Sequence, residues 1–338
     1  MKSSRRITLV LAGILATIGL GAAPVQEKDA PRVAFVTNGV ASFWVIAQKG
    51  AEDAGKKVGA DVSVHMPTSG ISDQKRILED LMVKRVDGIA VSPIDPANQT
   101  RLLDQIARRT NLITHDSDAP DSQRLCYIGM DNYAAGWMCG ELVKESMPDG
   151  GKIAIFIGRL EQDNARRRRQ GVIDAVLGRT KDAKRYDKPG AKLEGGGFTI
   201  VGTYTDQFDR AKGKANAEDV LSRHPDITTM VGLFAYNPPL ILEALKGAGK
   251  LGKVKVIAFD EDAETLDGIK AGTVEGTIVQ NPYMYGFKSV EVLDALSKGD
   301  RSVLPKNGMI DIPARTITKG NVDAFRKDLN EKLGKSDS

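Results

Sequence analysis

The feature that most constrains this chain is a near-continuous alternation of short apolar runs with segments of helical spacing. Runs of buried-strand type occupy 32–38, 61–67, 87–93, 111–116 and 125–131, then 152–158, 199–206, 228–237, 253–260 and 275–282. Between most of them lie helical patterns at 44–57, 72–85, 96–109, 133–146 and 209–223. Strand–helix–strand connections are right-handed and lead to parallel sheets with helices on both faces. So many strands overfill one comfortable open sheet. The pattern therefore predicts an α/β fold of two doubly wound, Rossmann-like sheets, with a single eight-stranded barrel as the rival. The polar, glycine-rich stretch 179–198 reads as a solvated excursion, and the end "KDLNEKLGKSDS" as a frayed terminus.

The first residues bear on location. "MKSSRRITLVLAGILATIGLGAAP" has a basic start, an apolar run from Ile7 to Leu20 and small residues ending near Ala23. That is the layout of an export signal over 1–23, and the run is short for a membrane span. Ser4-Arg5-Arg6 hints at a twin-arginine signal, although Thr8 stands where a bulky apolar residue is usual. Removing Lys2, Arg5 and Arg6 takes the formal charge from +4 to +1, which predicts no nucleic-acid partner. About 315 remaining residues suit two domains. The expected location is the periplasm. An oxidising compartment permits a disulfide between Cys126 and Cys139; the other reading is two small buried thiols. Two cysteines are too few for a structural zinc site.

Doubly wound sheets bind ligands beyond the carboxyl ends of their strands. The residues that follow the strands here are Asn38 with Phe43 and Trp44, then Asp116, Ser117 and Asp118, then Asp131 and Asn132. Arg166, Phe208 with Asp209, Asn237, Asp260 and Gln280 continue the series. Planar polar groups can each engage neighbouring hydroxyls, and aromatic faces pack on the weakly positive C–H faces of a sugar ring. The set suits a small polyol or monosaccharide. For Asp131, Asn132 and Asp209, helix capping is the preferred reading. Aromatics make up only 5% of the chain, and the adjacent rings of Phe43 and Trp44 are hard to bury together on one helix face.

In "ARRRRQG", 165–171, consecutive helical residues point about 100° apart, so the four arginines form no single stripe. Arg166 is the one expected to face a cleft, with Arg168 as its structural partner. The sequence holds no phosphate loop, H-E-x-x-H or G-x-S-x-G, and His65, His115 and His224 are scattered. No cofactor, metal or catalytic set is expected.

With "FW" after the first strand, "VSPIDP", "ITHDSDAP", "YIGMDNYAAG", "ARRRRQG", "FDRAKG", "HPDI", "VIAFD" and "TIVQNPYMYG" in this order, the chain resembles exported sugar-binding proteins of ABC importers. The type is that of ribose, xylose and allose receptors, with the type I periplasmic binding protein fold. The resemblance covers roughly 31–318 and implies an N-terminal lobe of 31–131 plus 281–309 and a C-terminal lobe of 132–280 plus 310–330. Hinge crossings would fall near Asp131/Asn132, Gln280/Asn281 and Met309/Ile310. It implies Phe43 and Trp44 as one aromatic wall, Phe208 as the other, and Asp116, Arg166, Asn237, Asp260 and Gln280 as polar contacts. Ser117 stands where ribose receptors carry an arginine. Ala41 replaces an asparagine, with Asn38 as a possible substitute. The implied function is capture of a monosaccharide by hinge closure and delivery to a membrane permease, by a monomer. A clamp signalling to a sensor kinase is the alternative. A secreted enzyme using Asp116 and Asp260 as acid and base is a third reading.

Overall fold

The computed structural model describes residues 30–334; the expected export signal, 1–23, lies outside the described residues. The chain runs β1 (Arg32–Val36), α1 (Ser42–Val58), β2 (Asp61–His65), α2 (Ile71–Lys84), β3 (Gly88–Val91), α3 (Pro96–Ala107), β4 (Asn111–His115) and β5 (Tyr127–Gly129). It continues α4 (Asn132–Ser146), β6 (Gly151–Ile157), α5 (Asp163–Val176), β7 (Leu193–Gly195), β8 (Phe198–Thr205), α6 (Arg210–Arg223), β9 (Thr229–Gly232) and α7 (Asn237–Gly247). Last come β10 (Lys255–Phe259), α8 (Ala263–Ala271), β11 (Gly276–Val279), α9 (Pro282–Ser297), β12 (Met309–Asp311), β13 (Arg315–Thr318) and α10 (Val322–Leu333).

Two sheets result, ordered β12-β5-β4-β3-β1-β2 and β13-β11-β10-β9-β6-β8-β7. The first is parallel throughout. In the second, only the outermost strands run against the rest: β7 against β8 and β13 against β11. The two doubly wound sheets of the sequence pattern are therefore present, and the barrel is not. The short strands β7, β12 and β13 carry too few apolar residues to register as buried runs. Because β12 pairs with β5 along Met309–Asp311, the chain leaves the first sheet after Asp311, two residues beyond the expected crossing at Met309/Ile310.

Side chains cap the helices that leave the strand ends. Asp131 accepts from the backbone N–H groups of Tyr133 and Ala134, and Asp209 from that of Lys212. Both satisfy otherwise unpaired first-turn donors. Asn281 caps α9 ahead of Pro282. Asn132 does not cap; it is buried and receives Arg168.

Each half presses two helices together through glycines. A Cβ on Gly286 of α9 would lie 1.9 Å from the Ala47 carbonyl oxygen of α1, and one on Gly136 of α4 would lie 1.9 Å from the Arg168 carbonyl oxygen of α5. These contacts set the rotation of α1 and α5, two of the helices whose first turns meet the cleft.

One expectation is refined, one is corrected and one open choice is decided. The 179–198 excursion is largely solvated, as expected, with no residue of 179–197 buried, but it is also tied to α5. Asp174, fully buried, accepts from the Tyr133 hydroxyl at 2.8 Å and pairs with Arg185 at 2.7 Å. Arg169 donates to the Asp187 carbonyl at 2.7 Å and to Thr203 Oγ1 at 2.7 Å. Residues 327–333 are not frayed but belong to α10, whose Phe325 and Val322 join the second core. Cys126 and Cys139 are free and fully buried, in the cores of different halves, because the strand and helix that carry them serve different sheets.

Candidate functional site

The carboxyl ends of both sheets face one cavity of about 170 Å³. That is below the roughly 300–1,000 Å³ of pockets for drug-sized ligands, so it suits one small ring. No group of three or more His, Cys, Asp or Glu side chains among the described residues could hold a metal ion.

The first half supplies Phe43 and Trp44 from the start of α1. Their rings meet edge to face at 4.8 Å, and Trp44 also abuts His115 at 5.7 Å. Both rings line the cavity while belonging to the first half's core. They are thus a wall and a buried helix face at once. His115 stacks on Phe35 at 4.0 Å, and its Nε2 lies 3.1 Å from the Val36 carbonyl oxygen. Burial holds its imidazole down to about 3, so it is a neutral backing plate at pH 7.

The second half supplies Phe208, stacked on Phe234 at 5.6 Å with 16° between planes, and Tyr236 beside it at 5.9 Å. Phe208 has φ +66°, a left-handed backbone that a bulky residue adopts only when its surroundings over-determine it. Asp206 does so: its carboxylate accepts from Phe208 N at 2.9 Å, the Tyr236 hydroxyl at 2.5 Å and Asn237 Nδ2 at 3.0 Å. The guanidinium of Arg159 lies 5.0 Å from the Phe208 ring centroid.

Between the walls stand two carboxylates in matching positions. Asp116 follows β4 with φ +58°, and Asp260 follows β10 with φ +68°. Asp116 Oδ2 accepts from Ser92 Oγ at 2.9 Å, Asn164 Nδ2 at 3.1 Å and Asn38 Nδ2 at 3.2 Å. Asp260 Oδ1 accepts from Gln280 Nε2 at 2.8 Å, and Gln280 Oε1 accepts from the Tyr285 hydroxyl at 3.2 Å. Burial pushes Asp116 up to about 6, against the pull of Arg168 and its hydrogen-bond donors, and raises Asp260 against Arg168 and Gln280. Arg168 is fully buried and is the cation of this set. It donates to the Leu233 carbonyl at 2.7 Å and to Asn132 Oδ1 at 3.0 Å, with its guanidinium 3.9 Å from the Phe259 ring centroid.

Of the residues expected at the site, Asn38, Phe43, Trp44, Asp116, Phe208, Asp260 and Gln280 line the cavity. Three do not. Arg166 is half-exposed and turns back to Asp163 on its own helix at 3.5 Å; of the four arginines in 166–169 it is Arg168 that lines the cavity, which inverts the expected roles. Asn237 is buried, receiving Phe234 N on its Oδ1 and donating to Asp206, so it braces the loop. Ser117 is buried in a bridge with His115, away from the lining. Asp118 beside it is held by Arg124 at 2.5 Å.

Asn164, Arg210, Phe234, Tyr236 and Asp262 line the cavity without having been expected there. A signal for the arginine did exist: Ala165, Arg168, Val172 and Val176 follow helical spacing on one face, which puts Arg168 inward with the apolar stripe and Asn164 four residues before it. Phe234 and Tyr236 lie inside an apolar run longer than its strand, and the run concealed where β9 ends.

The family described as "Periplasmic binding protein domain" matches residues 33–301. The ribose import binding protein of Salmonella typhimurium is 25% identical over 306 residues, covering 89% of this chain and 95% of that protein. Among solved structures, an ABC transporter solute binding protein from Burkholderia graminis, in complex with D-arabinose, superposes with a TM-score of 0.78 at 29% identity, covering 87% of this chain and 98% of that one. A glucose-galactose binding protein from Geobacillus stearothermophilus gives a TM-score of 0.77 at 26% identity, covering 87% of this chain and 99% of that one.

Proposed function

The chain belongs to the periplasmic binding protein domain family and has the type I fold of its sugar-binding members, and from that premise we propose that it captures a monosaccharide between its halves and delivers it to an ABC transporter permease. The observation that carries this reading is one cavity lined by an aromatic pair from each half, Phe43 with Trp44 and Phe208 with Phe234, together with Asp116, Arg168, Asp260 and Gln280. A pyranose or furanose ring offers two C–H faces to such walls and a rim of hydroxyls to such an equator.

The lobes of this reading are the first sheet with α1–α3 and α9, and the second with α4–α8 and α10. The chain passes between them after Gly129, after Val279 and after Asp311. Each passage is short, so a few residues can absorb an opening rotation. Closure removes water from the rim and strengthens each hydrogen bond there. Binding then favours the closed form through contacts that exist only in that form. Asp116 and Asp260 serve as hydroxyl acceptors and no bond is broken, so the protein acts without chemistry of its own.

Calorimetric titration with D-ribose, D-arabinose, D-xylose, D-allose, D-glucose and D-galactose tests the proposal, with Trp44 emission followed in parallel. At least one sugar is expected to bind and to change the emission, since Trp44 lines the cavity. A panel that leaves heat, emission and melting temperature all unchanged refutes it.

A further inference from the structure

We infer that Asn164 is a positioning and specificity-determining residue that ties closure of the two halves to the carboxylate that reads the ligand. This rests on the cavity being the ligand site. Among the described residues, and away from the three chain passages, one side-chain hydrogen bond joins the halves: Asn164 Nδ2 of α5 donates to Asp116 Oδ2 at 3.1 Å. Both residues are buried, at 3% exposure each. The amide is oriented from its other side, because Asn164 Oδ1 accepts from Ala165 N at 2.7 Å. Its N–H edge is thereby presented to an oxygen that can only accept.

The geometry gives Asn164 two consequences. Together with Asn38 and Ser92 it saturates Asp116 Oδ2, which leaves Oδ1 as the edge open to a ligand. Asp116 is therefore read through one oxygen rather than as a two-oxygen fork. Separating the halves breaks the Asn164 bond, and in a buried site a hydrogen bond to an ionised acceptor is among the stronger kinds. The positive end of the α5 dipole lies on the same side. The chain thus holds a contact that favours the closed arrangement before any sugar adds its own.

Two substitutions separate this role from simple packing. Asn164→Ala removes the donor. Asn164→Asp keeps the size, the acceptor for Ala165 N and the preference of helix first turns for acids, but sets a carboxylate against Asp116. The charged groups around the pair are Arg168 and Asp260 from the second half, Asp118 from the first, and Asp163 with its partners Arg166 and Arg167 on α5 itself. Spin labels at the exposed positions Lys75→Cys on α2 and Lys212→Cys on α6 report the separation of the halves in ligand-free protein, and titration with the sugar panel reports binding.

The expected result is a closed population in ligand-free protein that Asn164→Ala removes, with affinity falling about tenfold. Asn164→Asp is expected to bind more weakly still at about pH 8 and to regain affinity at about pH 5, as Asp116 takes up a proton. A ligand-free protein without a closed population, or one that Asn164→Ala leaves unchanged, overturns the inference, as does a flat pH profile for Asn164→Asp. The label distances need no sugar, so they decide the matter even if the sugar panel fails.

Discussion

Asp116→Asn should make the folded protein more stable at neutral pH while weakening binding at the proposed ligand site. Burial raises the Asp116 carboxyl from 3.8 to about 6, which corresponds to about 3 kcal/mol against the ionised closed state. Arg168 and the donors on Oδ2 already reduce that cost. Because the folded value lies above the unfolded one, wild type keeps its full stability below about 3.8 and loses it as pH rises through about 6. An amide has no such titration, so the variant's advantage grows over the same window. About 3 kcal/mol is its ceiling, since opening of ligand-free protein rehydrates the carboxylate. Three donors meet Oδ2, so the carbonyl oxygen of the new amide must take that place and its NH2 must face the cavity. A ligand hydroxyl that donated to Oδ1 then meets a donor, and affinity should fall roughly 10–100-fold. Urea unfolding of both proteins at about pH 4.5 and 7.5 measures the first effect, and calorimetry the second. A variant less stable than wild type by the same amount at both pH values would refute the reasoning, because hydrogen bonding rather than desolvation would then dominate at Asp116.

Other expectations follow from the same geometry. Arg168→Met strands Asp116 and Asp260 without their cation and should destabilise by about 3–5 kcal/mol, whereas Arg166→Ala should change urea stability by less than about 1 kcal/mol and leave sugar affinity intact; equal effects would restore the original assignment. Gly136→Ala drives a methyl to within 1.9 Å of the Arg168 carbonyl oxygen, so thermal melting should show a loss of about 1–3 kcal/mol or more, with weaker binding because α5 must shift. Thiol titration should find Cys126 and Cys139 both free in denatured, unreduced protein and both inert in the native state, since burial pushes their thiols up to about 11 and about 12; a denatured chain without free thiols would mean a bridge.

Much of the site was legible because strand ends are local events. A run such as "KVIAF" ends where its apolar pattern ends, so Asp260 could be placed at the cavity without knowing any neighbour, and so could Asn38, Asp116 and Gln280. Phe208 was found the same way. Asp131 and Asp209 were correctly read as caps, since capping involves residues only two or three apart. Arg166 failed because the run of four arginines conceals helix phase. That phase is set by Gly136 and Gly171 admitting the backbones of α5 and α4, a contact between segments about 35 residues apart. Asn237 failed because its partner, Asp206, lies 31 residues away. The 179–198 excursion is largely solvated, as its many charges suggested; what the pattern did not reveal is that Arg185 pairs with Asp174 and that Asp187 accepts from Gln170 and Arg169 on α5.

By itself, then, the order of residues determined the elements, the two doubly wound sheets and the polar and aromatic groups at the strand ends, since apolar period and capping act over a few positions. Packing in three dimensions settled which of the four consecutive arginines enters the cavity, that the cysteines stay apart and that Asn164 reaches Asp116. Each of those outcomes depends on how whole helices rotate and how two sheets face each other. Such rotations are settled by close packing between segments distant in the chain, which no local pattern records.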